Sequence, residues 1–573
     1  MGSPEAEHLL EKLARRGMSR RQLLQLMGLA GVGSAAAFQL DPVLAAIHWE
    51  RHPGADRSSY EPRRGLAAQS LAKETALSWI ENNRAQIIDL SDRIWEYAEL
   101  SLREWRSSLA LATFLRDHGF TIEWGIAGLP TFFIATYSQG SGKPVMGFNG
   151  ECDALPGLSQ RGGSPVHDPL EFNDDPYRPS YGPGHGDAHN TLGAASAAAA
   201  VAVAQAMRRH NLDGTLKFFG SAGEEQLVGK CYAVRAGAYE GLDAFVDWHP
   251  GTDASTSWGS NSALLSVVFT FLGVAGHGAE PLGNKSALDG VELLNIMTEY
   301  LREKNVAPSG RFHYAIPYGG EAPNVTPEIA HAWYYVREGS PARLRVLYDK
   351  IVACARAAAE ASQTDLHIRV VAGTWNTLGN QVGTELRYEN MLLIGPPDHS
   401  EEDHALARAI QATLGVPQVG LTSREIVPLR PPGVFLGGPS TDMGDVSWHV
   451  PTIRGLSATR PALCPNHHWN VTATACTGIA HKGMLRAAQY IAATVIDLLT
   501  QPAVLAQVQE EFYERTAGIQ WQSLLPDDAQ PPVYQPPDWF LRETNQAWPP
   551  PGIDWPPPRY VSHGQYGTTG PRL

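Results

Sequence analysis

Five short segments share one property: acidic or histidine residues stand just after a predicted strand or at a glycine-rich turn. They are Glu151-Cys152-Asp153-Ala154-Leu155-Pro156, Gly184-His185-Gly186-Asp187-Ala188-His189-Asn190, Glu224-Glu225, Trp248-His249-Pro250 and His467-His468-Trp469. Carboxylates that converge on one crevice repel one another unless positive charge offsets them. Histidines among them point to a metal ion rather than to Lys or Arg. The adjacent acids Glu224 and Glu225 leave an extended chain in different directions, so one can ligate a metal while the other holds a water, a division of labour that hydrolases use. Taken singly, each segment reads more simply as a solvated acidic pair or a hydrogen-bonded histidine.

The elements around these segments alternate. Val145-Met146-Gly147-Phe148, Thr215 to Gly220 and Ala244 to Trp248 read as buried strands, and Ala194 to Met207 reads as an alanine-rich helix able to pack closely on a sheet. That order predicts an α/β domain with a largely parallel core, whose ligand crevice lies beyond the carboxyl ends of the strands. Asp153, Glu224 and His249 fall there. Helical periodicity begins near Thr75, with Ile80, Ile87, Ile88, Leu90, Ile94, Trp95 and Leu100. A second region, 263–375, reads strand (Leu264 to Leu272), helix (Ala287 to Leu301), strand (Ala330 to Val336), helix (Ala342 to Ala361), strand (Leu366 to Val371), a β-α-β-β-α-β-like order typical of a ferredoxin-like domain. The first domain then resumes and ends in a helix from Gly478 to Leu499. The expected division is thus a catalytic domain in two parts, 75–262 and 376–515, around the inserted domain, with a Pro-, Trp- and Tyr-rich tail at 516–573 that either wraps the surface or is disordered.

The wording of these segments resembles the M20 family of metal-dependent amidohydrolases and peptidases, in the branch containing p-aminobenzoyl-glutamate hydrolase. The resemblance runs in consistent order from about residue 75 to 515. It includes Gly150 to Gln160, Gly184 to Asn190, Ala222-Gly223-Glu224-Glu225, Trp248-His249-Pro250, Gly276-His277-Gly278-Ala279, Ala322-Pro323-Asn324-Val325, Ser440 to Trp448 and His481-Lys482-Gly483-Met484. It implies a zinc-peptidase-like catalytic domain with a ferredoxin-like lid that also dimerises. It implies that Glu224 is the general base and that Asp187, His189, Glu225, His249 and His467 hold one or two divalent ions, zinc or manganese. Asp153 would orient a ligand histidine. His277 would stabilise the oxyanion from across a dimer interface, with Asn324 and Arg337 binding the polar end of a small amide substrate; a guanidinium suits a carboxylate because its fork donates two parallel hydrogen bonds.

One departure matters: Asp187 stands where close relatives carry cysteine, and Ala188 follows where they carry glycine. A carboxylate is the harder ligand and favours oxygen-rich coordination. His468 beside His467 adds an ambiguity that the family's His-Ser-Trp resolves toward His467. The implied reaction is hydrolysis of an N-acyl or N-aroyl amino acid or related amide. The alternatives are a noncatalytic subunit or small-molecule-binding protein with a degraded metal site, and a dipeptidase. The expected assembly is a homodimer or a heterodimer with a paralogue.

Composition narrows the partners. The chain has 573 residues, with Lys+Arg 45 against Asp+Glu 59 and a net charge of -14, which argues against nonspecific binding to nucleic acid or anionic membrane. Five scattered cysteines do not make a disulfide framework. At the N-terminus, Ser19-Arg20-Arg21-Gln22-Leu23-Leu24, the uncharged run Leu26 to Leu40 and the small residues to Ala46 form a twin-arginine-type signal peptide (1–46), followed by a linker (47–74). The apolar run is too short for a permanent membrane helix. The expected destination is the periplasm or the exterior, reached after folding.

Overall fold

A computed structural model describes residues 60–556 except 423 and 434–436. The expected signal peptide lies outside the described residues, as does the first part of the expected linker, 47–59. The rest of that linker is structured: Ser70 caps the helix Leu71–Asn82 by accepting from the Lys73 amide at 3.2 Å. The chain therefore enters the fold four residues earlier than its apolar periodicity indicates.

The catalytic domain is built on a six-stranded sheet in the order Thr121–Trp124, Phe133–Gln139, Gly214–Gly220, Val145–Gly150, Ala244–Val246, Thr452–Ile453. The last four strands run parallel and the first two are antiparallel additions at one edge. The helix His189–His210 lies against this sheet and is buried from His189 to Ala204. Alanine makes this possible, because a helix without bulky side chains can approach sheet and neighbouring helices on several sides at once. Gly478–Thr500 and Leu71–Asn82 pack on it to complete one core, with Ile80, Leu192, Val201, Ile491 and Val495 in its interior. Arg208, Arg209 and His210 in the last turn complement the helix dipole, and Asn211 ends the helix in the left-handed conformation.

The lid is a four-stranded antiparallel sheet in the order Arg311–Tyr318, Ile329–Glu338, Ala263–Leu272, Asp365–Thr374. Its two helices, Ala287–Asn305 and Pro341–Ser362, share a core with the sheet face carrying Val267, Phe269, Tyr334 and Val336. This is the ferredoxin-like order, and Arg311–Tyr318 supplies the strand that the sequence reading does not place. It lies at the sheet edge; Phe312, Tyr314, Ile316 and Tyr318 alternate along it, and Tyr314 and Ile316 are exposed.

The described part of the tail, 518–556, wraps. Leu524 enters the lid core, Leu525 and Val533 enter the second core of the catalytic domain, and Phe540 is fully buried against Trp105 and Trp124. Polar contacts fasten the same stretch. Arg235 donates to the Pro526 and Ala529 carbonyls, the Tyr232 hydroxyl donates to the Gln530 carbonyl, and Trp521 Nε1 donates to Asp445 Oδ1 at 3.2 Å. Among the described residues no single helix is long and apolar enough to cross a membrane.

Candidate metal centre

Three adjacent parallel strands deliver the chemistry. Val145–Gly150 runs into Glu151 and Asp153, Gly214–Gly220 into Glu224 and Glu225, and Ala244–Val246 into His249. His189 opens the long alanine helix, Asp187 sits in the turn before it, and His467 precedes the helix Trp469–Thr474. Ala188 (φ 59) and His467 (φ 48) both adopt the left-handed conformation, which is costly for residues with a Cβ and clusters at functional sites. A backbone bond from His467 N to the Gly186 carbonyl ties the two turns together.

Asp153 organises the first histidine. Its Oδ1 lies 3.0 Å from His189 Nδ1, while its Oδ2 accepts from Ser101 Oγ at 2.7 Å and from the Glu225 amide at 2.9 Å. With Nδ1 engaged, His189 Nε2 faces the crevice, 3.5 Å from Glu151 Oε2, 3.9 Å from Asp187 Oδ2 and 4.0 Å from Glu224 Oε2. Asp187 Oδ2 is 3.4 Å from His249 Nε2 and 3.3 Å from His467 Nε2, and Glu225 Oε2 is 3.9 Å from the same His467 nitrogen. Burial raises the cost of charge on Asp187, but His249, His467 and His189 more than offset it and hold its carboxyl below the usual range.

These donors fit a divalent cation. Glu151, His189 and His249 offer ligand atoms within 4.8 Å of one another, and so do Asp187, Glu225 and His467. His189 Nε2, Glu151 Oε2 and Glu225 Oε1 are buried without a hydrogen-bond partner, which is costly unless a cation faces them. His468 turns away instead: its Nδ1 pairs with Asn470 and its ring lies beside Trp469.

Glu224 stands at the edge of the cluster, where burial and the neighbouring Glu151 and Asp442 push its carboxyl well above the usual range. A carboxyl so raised is a stronger proton acceptor than an exposed glutamate. Beneath it, the fully buried Lys230 donates to Glu151 Oε1 at 2.7 Å and to Asp442 Oδ1 at 2.6 Å. Glu104, also buried, accepts from the amides of Leu102 and Gly223 and from Thr131 Oγ1, which fixes the turn that carries Glu224 and Glu225. Sequence reasoning assigns no role to Lys230, Asp442 or Glu104. Glu151 carries a readable signal: it precedes Asp153 by two residues on extended chain, so both point to one face.

The lid residues divide. Tyr335 Oη donates to the Glu225 carbonyl at 3.0 Å, docking the strand Ile329–Glu338 on the cluster. Arg337, two residues on, has its Nε buried without a partner and lies within electrostatic reach of Glu224. His277 and Asn324 lie elsewhere. Both are exposed, on lid loops joined by the His277–Val325 bridge and by a bond from Gly278 N to the Asn324 carbonyl. Among the described residues, no hydrogen bond or ion pair links either side chain to the cluster. The segment 161–183 forms a small hairpin, Phe172–Asn173 against Ser180–Tyr181, and Arg178 at its tip pairs with Glu321 of the lid.

No family model matches the chain. The chain is 32% identical over 477 residues to a subunit of p-aminobenzoyl-glutamate hydrolase of Escherichia coli (strain K12), a match covering 79% of this chain and 97% of that protein. It is 28% identical over 468 residues to the Xaa-Arg dipeptidase of Mus musculus, covering 79% and 95%. Among solved structures, a protein from methicillin-resistant Staphylococcus aureus described as an aminohydrolase shares the fold, with a TM-score of 0.51 at 14% identity over 74% of this chain and 100% of its own. A dinuclear metal-binding peptidase of the M20 family from Bacillus subtilis has a TM-score of 0.47 at 16% identity, over 73% and 99%.

Proposed function

The chain belongs to the M20 family of metal-dependent amidohydrolases and peptidases, and from that premise we propose that it hydrolyses the amide bond of an N-acyl or N-aroyl amino acid. Metal-dependent amide hydrolysis is the activity of the family. The observation that carries the finer reading is Arg337, a half-buried arginine whose Nε is shielded without a hydrogen-bond partner and which lies within electrostatic reach of Glu224. A carboxylate on the substrate satisfies it, and that places the scissile amide between the arginine and the cluster.

Asp187, His189, His249, Glu225 and His467 would hold the metal, with Glu151 as a further oxygen donor. A divalent ion bound there polarises the amide carbonyl and lowers the pKa of water. Glu224 takes the proton from that water and delivers it to the leaving nitrogen, for which its raised pKa suits it. Asp153 keeps His189 in the tautomer that leaves Nε2 free. Tyr335, bonded to the Glu225 carbonyl, holds the lid strand over the site.

A second reading, dipeptide hydrolysis, is favoured by the likeness to the Xaa-Arg dipeptidase. Turnover of a panel of N-acyl amino acids, aroyl-glutamates and Xaa-Arg dipeptides by the metal-loaded protein separates the two. Cleavage of dipeptides alone overturns the first reading. The name of the bacterial relative, one subunit of a hydrolase, supports assembly with a second chain. We propose export for the N-terminal segment, tested by whether Arg20→Lys with Arg21→Lys traps the protein inside the cell.

A further inference from the structure

Asp187 differs from the cysteine expected at its position in having two ligand atoms rather than one. The structure uses its two oxygens differently. Oδ2 faces the three histidines, 3.3 Å from His467 Nε2, 3.4 Å from His249 Nε2 and 3.9 Å from His189 Nε2. Oδ1 turns away from them and accepts a hydrogen bond from Asn466 Nδ2 at 2.7 Å. Asn466 is oriented in turn, because its Oδ1 accepts from Arg460 Nη1. A guanidinium has only donors, so it selects the amide oxygen and leaves the NH₂ end for Asp187. Arg460 is half-buried with its Nε shielded from solvent. An aspartate free of such contacts can chelate one ion or span two through separate oxygens; a thiolate has a single ligand atom.

We propose that Asn466, steered by Arg460, is a positioning residue that withdraws one oxygen of Asp187 from the metal site, so that this carboxylate presents a single ligand atom there, as a thiolate would. The inference rests on the reading of Asp187 as a metal ligand. It makes Asp187 and Asn466 a matched pair: the amide has a function only while the residue at 187 has a second oxygen to occupy.

The test is a double-mutant cycle read by metal binding rather than turnover. Dissociation constants for Mn²⁺ and Co²⁺, and the visible absorption of the Co²⁺ form, are measured for the wild type, Asn466→Leu, Arg460→Met, Asp187→Cys and Asp187→Cys with Asn466→Leu. Thermal unfolding of each metal-free form checks folding. Asn466→Leu is expected to weaken binding about 10–100-fold and to alter the Co²⁺ spectrum, because loss of a residue that orients a ligand has that effect. Arg460→Met should act in the same direction and less strongly. In the Asp187→Cys background, Asn466→Leu should change affinity less than about twofold. An unchanged affinity and spectrum in Asn466→Leu, or an equal loss in both backgrounds, overturns the proposal. If Asp187→Cys binds no metal, the Co²⁺ spectrum of Asn466→Leu alone decides. A wild type that binds neither ion overturns the metal-site reading itself, which is a different outcome.

Discussion

The crevice and the paired lid loops are the two places where this chain assembles chemistry, and they are built in opposite ways. In the crevice, side chains hold side chains: Asp153 fixes His189, Lys230 joins Glu151 to Asp442, and Glu104 anchors the turn beneath Glu224. Almost all of these groups are buried, so each contact has a low-dielectric surrounding and a high cost if broken. In the lid, His277 and Asn324 are exposed and their loops are joined through backbone bonds. Their side chains are left facing outward. A site closed by contacts within one chain stands beside a pair of loops whose side chains face solvent.

The largest expected effect tests the closed site. Glu224→Gln should keep fold and metal content and lower kcat roughly 10²–10⁴-fold, since it removes only the proton acceptor. Turnover within about twofold of wild type would take Glu224 out of the reaction. Lys230→Met should destabilise the protein by about 3–5 kcal/mol in chemical denaturation, because it leaves buried carboxylates without their cation. A loss under about 1 kcal/mol would show the cluster to be solvated rather than cross-linked.

The next prediction tests the loops. If His277 serves a partner's site, His277→Ala should lower kcat roughly 10²–10³-fold with stability and metal affinity unchanged. Mixing it with inactive Glu224→Gln should restore activity, because one site of each mixed dimer holds both intact residues. Failure of complementation, with exchange of chains verified by labelling, would make the crevice self-sufficient.

The smallest effect concerns the fastening between the regions. Burial pushes the Asp445 carboxyl up to about 7 although it accepts from the Trp375 amide and the Trp521 indole. A folded-state pKa above the unfolded one means stability present at low pH and lost as pH rises toward 7. Asp445→Asn should therefore remove about 2 kcal/mol of stability loss between pH 5 and 7, read from denaturation curves at each pH. Parallel curves for the two proteins would show that this carboxyl does not titrate in that range.

How much of this is legible in the sequence depends on distance along the chain. Asp153, Glu224 and His249 follow apolar strands directly, so the ends of the strands announce them. Lys230, Glu104 and Asn466 sit in segments whose local pattern is ordinary, and Asp442, though within Ser440 to Trp448, shows nothing of its partner; the pairings lie far apart in sequence, Lys230 with Asp442 across 212 positions and Asn466 with Asp187 across 279. No periodicity encodes such pairings. The lid's edge strand Arg311–Tyr318 is easily passed over although Phe312, Tyr314, Ile316 and Tyr318 alternate, because Pro317 interrupts the run and proline is confined to edge strands. The helix Leu71–Asn82 is easily read as starting late because Leu71 at its start is 69% exposed. The tail is ambiguous because its apolar residues are spaced for a surface they must meet, and not for a helix or strand of their own.

That tail sets the order in which the molecule is completed as it is made. Leu524 is part of the lid core, and Phe540 is wedged between Trp105 and Trp124, which are synthesised more than four hundred residues earlier. The sheet strand Thr452–Ile453 and the core helix Gly478–Thr500 also emerge long after the strands and helix they cover. A growing chain thus leaves the main apolar core of its first half uncovered until the helix Gly478–Thr500 has emerged, and the surface that Phe540 covers until the tail has followed. The catalytic domain therefore closes its core only late in synthesis, whereas the core of the lid, contiguous from 263 to 375, draws among the described residues on Leu524 alone from outside that stretch.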